Sequence, residues 1–243
     1  MVGTFQLYDY AHNVSPLGHK LTSSTTDGFG HLIYDSSKLN ISDVPTTFES
    51  FRDPFWKSKL ILTYPNDDDA VAYLFSLIVA KYGHSWLEDL AANDVQWVKG
   101  TATSVFEISR WHNSTNSSRV LSFTTGGPGT ESWWASSTPN DQYVTWAQTG
   151  AIFANTPRPE AAKLFVSWLS SKEYQENQSS TQYALHTDET NPLLSNLTQL
   201  SGFRQFEQDR ATVEWWKNQF EDALGTPQGP SPLAVYPNPP FED

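Results

Sequence analysis

The chain has no cysteine in its 243 residues. This excludes disulfides, thiolate metal sites and a cysteine nucleophile, and it leaves the compartment open, because a core of this size needs no covalent staples. Positive charge is also scarce: 15 Lys and Arg stand against 27 Asp and Glu, a net charge of −12. With no basic stripe to offset that field, nucleic acid and anionic membrane surfaces are not expected partners. No apolar run reaches the roughly 20 residues a membrane-spanning helix needs. The longest, Ala70 to Ala80, is broken by Ser76. Catalytic signatures are missing too: there is no Gly-x-Ser-x-Gly elbow, no phosphate loop and no His-Glu-x-x-His. No catalytic residue, cofactor or metal ion is therefore expected. His12, His19, His31, His84, His112 and His186 show no metal-ligand spacing.

What the chain has in quantity is aromatic surface. Aromatics make up 14% of it, with 10 Trp, while charged residues make up 17% and hydrophobic ones 38%. This is globular composition, and Trp and Tyr serve cores and ligand clefts equally well. Six glycosylation sequons are present, at Asn13, Asn40, Asn113, Asn116, Asn177 and Asn196. They point to a secreted eukaryotic glycoprotein. Met1 opens directly into Val-Gly-Thr-Phe with no basic or apolar leader region, so a signal peptide or a longer front is expected to lie outside this chain.

Along the chain, Asp27-Gly28-Phe29-Gly30 marks a turn before the apolar run His31 to Tyr34. Ser58 to Tyr64 reads as a buried strand, and Asn66-Asp67-Asp68-Asp69 opens a helix from about Ala70 to Tyr82, with Gly83 at its C-terminal cap. Ser85 with Glu88 forms a capping box for a second helix, and Ser104 with Glu107 another after the strand Val95 to Val98. Strands are further expected over Arg119 to Thr124 and Tyr143 to Ala154. Pro159 starts an amphipathic helix carrying Ala161, Ala162, Phe165, Trp168 and Leu169, and a last helix runs from about Gln208 to Leu224 before a Pro- and Gly-rich tail. Alternating strands and helices make this an α/β chain without internal repeats. Gly126 to Asn140 is its one long loop.

Four segments carry a family resemblance. Gly150-Ala-Ile-Phe-Ala-Asn-Thr-Pro-Arg-Pro-Glu-Ala-Ala-Lys-Leu-Phe-Val-Ser-Trp-Leu-Ser-Ser-Lys-Glu-Tyr-Gln175 resembles the iron(III)-type ABC-transporter substrate-binding proteins and their secreted fungal branch. So do Asp53-Pro-Phe-Trp-Lys-Ser-Lys-Leu-Ile-Leu-Thr-Tyr-Pro65, with Ser58 where the family has Gly, then Tyr64 to Ala70, and Asp209 to Glu214 with Gly225 to Pro232 behind it. The resemblance implies a type II periplasmic-binding-protein-like fold of two lobes with mostly parallel sheets, and no enzymatic activity. Residues 1–33 and 143–243 would form a first lobe lacking its opening portion, and 34–142 a complete second lobe. It also implies a monomer that captures a small molecule by hinge closure, with the transporter partner left open. Relatives that bind ferric iron use adjacent tyrosines, and this chain has no Tyr-Tyr pair. An anionic organic solute, phosphorylated or carboxylated, is the expected ligand.

Ligands of open α/β sheets sit beyond the carboxyl ends of strands, against helix N-termini. Three junctions qualify. Tyr64, Asn66 and Asp67 form the first, where the alternatives are ligand contact, a hard cation held by the carboxylates, or simple N-capping. Thr101, Thr103 and Ser104, after Gly100, form the second, which offers either an anion site or an ordinary cap. Trp146 and Gln148 lie on the third, joined by Thr124, Thr125, Gly126, Glu131 and Trp133 or Trp134 of the long loop, of which one Trp at most faces a cleft. A different class of function, a secreted aromatic-rich carbohydrate-binding or cell-wall interaction protein, would instead stack sugars on exposed Trp.

Overall fold

One glycine separates the first two strands. In the computed structural model, which describes residues 22–124, 132–150, 152, 155–178 and 202–232, β1 (Thr22–Phe29) runs through the expected turn and stops only at Gly30 before β2 (His31–Asp35). Gly30 sits at φ +118°, and a Cβ there would lie 3.0 Å from Tyr143 Cβ and 3.1 Å from Leu74 Cδ1. Both the backbone angle and the close approach require glycine. By contact the chain divides into two units: Gly28–Val144 with Ser201–Asp243, and Met1–Asp27 with Thr145–Leu200.

In the larger unit, β2 is the centre of a sheet ordered β5-β2-β6, with β5 (Leu121–Thr124) and β6 (Trp134–Ser137) both antiparallel to it. A second pair, β3 (Ile61–Thr63) and β4 (Gln96–Val98), is parallel, and Leu60 bridges Leu121 in parallel. Strands β3, β4, β5 and β6 therefore point one way and β2 alone opposes them. The mostly parallel character is one of strand direction, since both neighbours of β2 must pair antiparallel with it. The strands are shorter than their sequence patterns. Ser58, expected within β3, has φ +60° and donates its hydroxyl to Asp94 Oδ2 at 2.6 Å. A positive φ is the backbone state that favours the glycine found there in the resembling family.

Helix α1 (Asp69–Tyr82) follows β3 and is buried on nearly every side, as an apolar run interrupted only by Ser76 requires. Asp68 caps it by accepting from the amides of Ala70 (2.9 Å) and Val71 (3.1 Å), and Gly83 closes it at φ +84°. The capping boxes at Ser85 and Ser104 do not form. Helix α2 (His84–Ala92) starts from Gly83, and Ser85 Oγ instead accepts from Arg52 Nη2 at 3.2 Å. Helix α3 (Thr103–His112) begins two residues earlier than expected, after Ala102, because the Thr103 amide already bonds the Gly100 carbonyl; Ser104 falls inside its first turn. The aromatic excess goes largely into the core. Phe123 meets Phe48 and Phe51 at ring separations of 5.2 and 5.0 Å, and Phe75 meets Trp86 at 5.7 Å and Phe220 at 6.0 Å. Phe220 belongs to α7 (Arg210–Leu224), which follows a short helix α6 (Gly202–Gln208) that the sequence pattern did not show.

In the smaller unit β1 pairs with β7 (Val144–Gly150), and α4 (Pro159–Leu169) precedes α5 (Lys172–Gln178). Pro159 stands at the first turn of α4 as expected, but no residue of that helix is buried, and Leu164, Phe165 and Trp168 are exposed.

Candidate ligand site

The parallel register that sets Thr63 beside Val98 makes β3 and β4 end together. The loops that leave them are therefore neighbours, and three bonds join them. The Tyr64 amide donates to the Val98 carbonyl (3.0 Å), Thr63 Oγ1 to the Gly100 carbonyl (3.1 Å), and the Gly100 amide to Asp67 Oδ2 (3.1 Å). The first and second sequence junctions are thus one constellation. Tyr64 is buried in it, its ring stacked on Trp97 at 5.6 Å.

At the start of α3 the amides of Thr101 and Ala102 have no partner among the described residues. Helix N-terminal amides carry partial positive charge and point outward, which suits an anion. Thr101 stands beside them half-buried, and Lys99 in the same loop has no ion-pair or hydrogen-bond partner among the described residues. Thr103 is 4% exposed, and its hydroxyl has no partner among the described residues. Across the loop Asn66 donates from Nδ2 to the Gly225 carbonyl at 3.1 Å, which fixes the amide's orientation and leaves its buried Oδ1 unpaired. The arrangement offers several donors and one acceptor. It can hold an anionic group together with a hydroxyl or amine of the same ligand.

The acidic run does not converge on a cation. Asp67 takes the Gly100 amide and Asp68 caps α1, while Asp69 accepts from Lys217 Nζ at 2.7 Å and Arg210 Nη1 at 2.5 Å. Burial works to raise the pKa of Asp69, but the hydrogen bonds from Lys217 and Arg210 outweigh it and hold the carboxyl below its usual range. Glu207, beside Asp69, is pushed up by burial and then by that neighbour's charge. Among the described residues no three His, Asp or Glu side chains gather as a metal set.

The same end of the sheet carries Thr124, a candidate of the third junction, and His31, which the sequence reading did not propose as a ligand contact. Thr124 ends β5 opposite His31, whose Nδ1 shares a hydrogen bond with Thr138 Oγ1 at 3.0 Å and whose ring lies 4.7 Å from Tyr143. Nothing local marks His31, and strand order alone brings it here; Lys99 lies beside Gly100 in the second junction itself. Trp133 goes elsewhere. Trp134 pairs with Asp35 at the opposite end of β2, and the Trp133 ring stacks on His112 at 4.1 Å, while His112 Nδ1 bonds the buried Asp35 carboxylate at 2.8 Å. Trp146 is half-buried on β7 in the smaller unit, and the side chain of Gln148 lies outside the described residues, as do Thr125, Gly126 and Glu131. Of the sequons, Asn40, Asn113 and Asn116 are exposed, whereas Asn13, Asn196 and the side chain of Asn177 are outside the described residues.

These two-stranded and three-stranded sheets, with helices entered from the carboxyl ends of parallel strands, define the fold of the type II periplasmic binding proteins. Among solved structures, the substrate-binding protein of an ABC transporter from Agrobacterium tumefaciens matches with a TM-score of 0.64 at 15% identity, over 85% of this chain and 66% of that one. The periplasmic thiamin binding protein matches at 0.59 and 17%, again over 85% and 66%. The periplasmic binding protein AfuA from Actinobacillus pleuropneumoniae, with fructose-6-phosphate bound, matches at 0.56 and 15%, over 87% and 70%. The chain thus spans about two thirds of the length of the first two. No family model and no curated protein sequence matches it. No helix among the described residues is long and apolar enough to cross a membrane.

Proposed function

We propose that this chain is a secreted solute-binding protein that takes a small anionic metabolite at the carboxyl ends of β3 and β4. The observation that carries this reading is that the loops after β3 and β4, tied by the bond from the Gly100 amide to Asp67, together carry the Thr101 and Ala102 amides, the Thr103 hydroxyl, Lys99 and Asn66 Oδ1, none of them with a partner among the described residues. Amides and hydroxyls bind the anion; Asn66 Oδ1 accepts from a hydroxyl or amine carried on the same molecule. That combination fits a phosphorylated or carboxylated metabolite. AfuA, a protein of the same fold, was solved with a sugar phosphate. In this proposal residues 34–142 form the gripping lobe, and capture is a closure of two lobes: a ligand that touches both only when closed shifts the population toward the closed state. Stacking of sugars on Trp would fall to the exposed Trp168 and Trp215, since the rings of Trp97, Trp133 and Trp216 are covered by Tyr64, His112 and Phe220.

The test is the pair Thr101→Ala and Thr103→Ala made together and titrated with inorganic phosphate, citrate and fructose 6-phosphate. Loss of two hydrogen bonds to a charged group, at about 1.5 kcal/mol or more each, predicts a fall in affinity of about a hundredfold or more with an intact melting transition. Unchanged affinity would remove this junction from the site.

A further inference from the structure

Thr103 hides its hydroxyl under the chain's own tail. Gly225 ends α7 and gives its carbonyl to Asn66 Nδ2 at 3.1 Å. Seven residues later Pro232 lies over Gly100, where a Cβ would stand 2.3 Å from Pro232 Cγ and 3.3 Å from Thr103 Oγ1. Gly100 has φ +81°, so its lack of a side chain serves both the backbone and the approach of the proline. The segment Gly225–Pro232 is therefore fastened at one end to the β3–α1 loop and at the other to the β4–α3 loop, the two halves of the candidate site.

The proline that covers this polar floor offers no N–H and no side-chain donor or acceptor. Beneath the segment, Thr103 Oγ1 and Asn66 Oδ1 are buried and unpaired among the described residues. Buried polar atoms without partners are unfavourable and rare, and they mark a place where a partner is absent. A ligand that brings an acceptor to Thr103 and a donor to Asn66 satisfies both atoms, and it needs the room that Pro232 fills. Gly229 lies between the fastenings at φ +99° with no atom within 4 Å of a Cβ position, so conformational freedom and not packing calls for glycine there.

We infer that Gly225–Pro232 is a strap that occupies the anion site and is displaced by the ligand. This rests on the anion-binding reading and adds an intramolecular competitor to it. The chain has no cysteine, so Ser231→Cys gives a single thiol beside Pro232 for an environment-sensitive dye. The full chain and its Pro232→Gly variant are titrated calorimetrically with inorganic phosphate and with fructose 6-phosphate, and the labelled protein is followed in parallel. The strap predicts a dye response with the calorimetric midpoint, and binding by Pro232→Gly tighter by about fivefold or more, because the competent state no longer has to be paid for. Equal affinities with a silent dye overturn the strap and leave the anion site standing. Weaker binding by Pro232→Gly also overturns it and makes the segment part of the site. No binding of either anion by either protein overturns the strap and the anion reading together.

Discussion

The amide of Gly100 donates to Asp67 Oδ2 at 3.1 Å, and that bond ties the loop after β4 to the loop after β3. Asp67→Ala leaves the half-buried amide without its charged acceptor. We expect a loss of about 1.5–3 kcal/mol, the range for a hydrogen bond to a charged group. Asp67→Asn, which keeps an acceptor, should lose less. Urea unfolding midpoints of the three proteins measure this.

Asp141 is the most committed carboxylate in the larger unit. It is 3% exposed, accepts the Phe48 amide at 2.6 Å and the Tyr82 hydroxyl at 2.9 Å, and pairs with the Lys81 ammonium. The buried Phe48 amide is left without its acceptor, whereas exposed Lys81 and half-buried Tyr82 can turn to water. Asp141→Ala should cost about 3 kcal/mol, the upper end for a hydrogen bond to a charged group. A smaller loss in thermal unfolding than that of Asp67→Ala would contradict this ranking.

Asp69 and Glu207 make opposite pH dependences in one cluster. The folded pKa of Asp69 lies below its unfolded value of about 3.9, so its contribution is complete above that pH and is lost as the pH falls through the folded value. The folded pKa of Glu207 lies above its unfolded value of about 4.3, so its contribution is complete below that pH and is lost as the pH rises through the folded value. Asp69→Asn should lower the melting temperature at pH 7, with the difference shrinking below about pH 4. Glu207→Gln should raise it at pH 7, with the gain disappearing in the same acid range. Melting curves from pH 3 to pH 7, roughly the span of these titrations, decide both signs.

Asn40, Asn113 and Asn116 are exposed on the larger unit. Expression through a eukaryotic secretory route should attach glycan at Asn40 and at one or both of the other two. Endoglycosidase treatment followed by peptide mass mapping reads this directly. Asn40→Gln should change stability by no more than about 0.5 kcal/mol, as for surface changes away from structural features.

Some of this architecture was written in local chemistry. The run from Ala70 to Val79 is too continuously apolar for a surface helix, and its ends carry their own signals in Asp68 and Gly83, so α1 could be placed to within a residue. Pro159 marked the start of α4 in the same way. The capping boxes failed for an equally local reason seen only in three dimensions: Arg52 claims Ser85, and the Gly100 carbonyl claims the Thr103 amide. A capping motif states what a side chain can do, and a long-range partner decides whether it does.

By itself the sequence determined the α/β class, the burial of α1 and the candidate residues at both strand ends, because hydrophobic period and helix-cap chemistry act over a few neighbours. Only the tertiary structure decided which candidates meet. The parallel pairing of β3 with β4 brings Asn66 and Asp67 to Gly100 and Thr103, and the direction of β6 against β2 sends Trp133 to the far end beside His112. Pro232 reaches Gly100 across more than half the chain. Strand order and a returning tail are long-range facts, set by the burial of whole elements, and no local pattern encodes them.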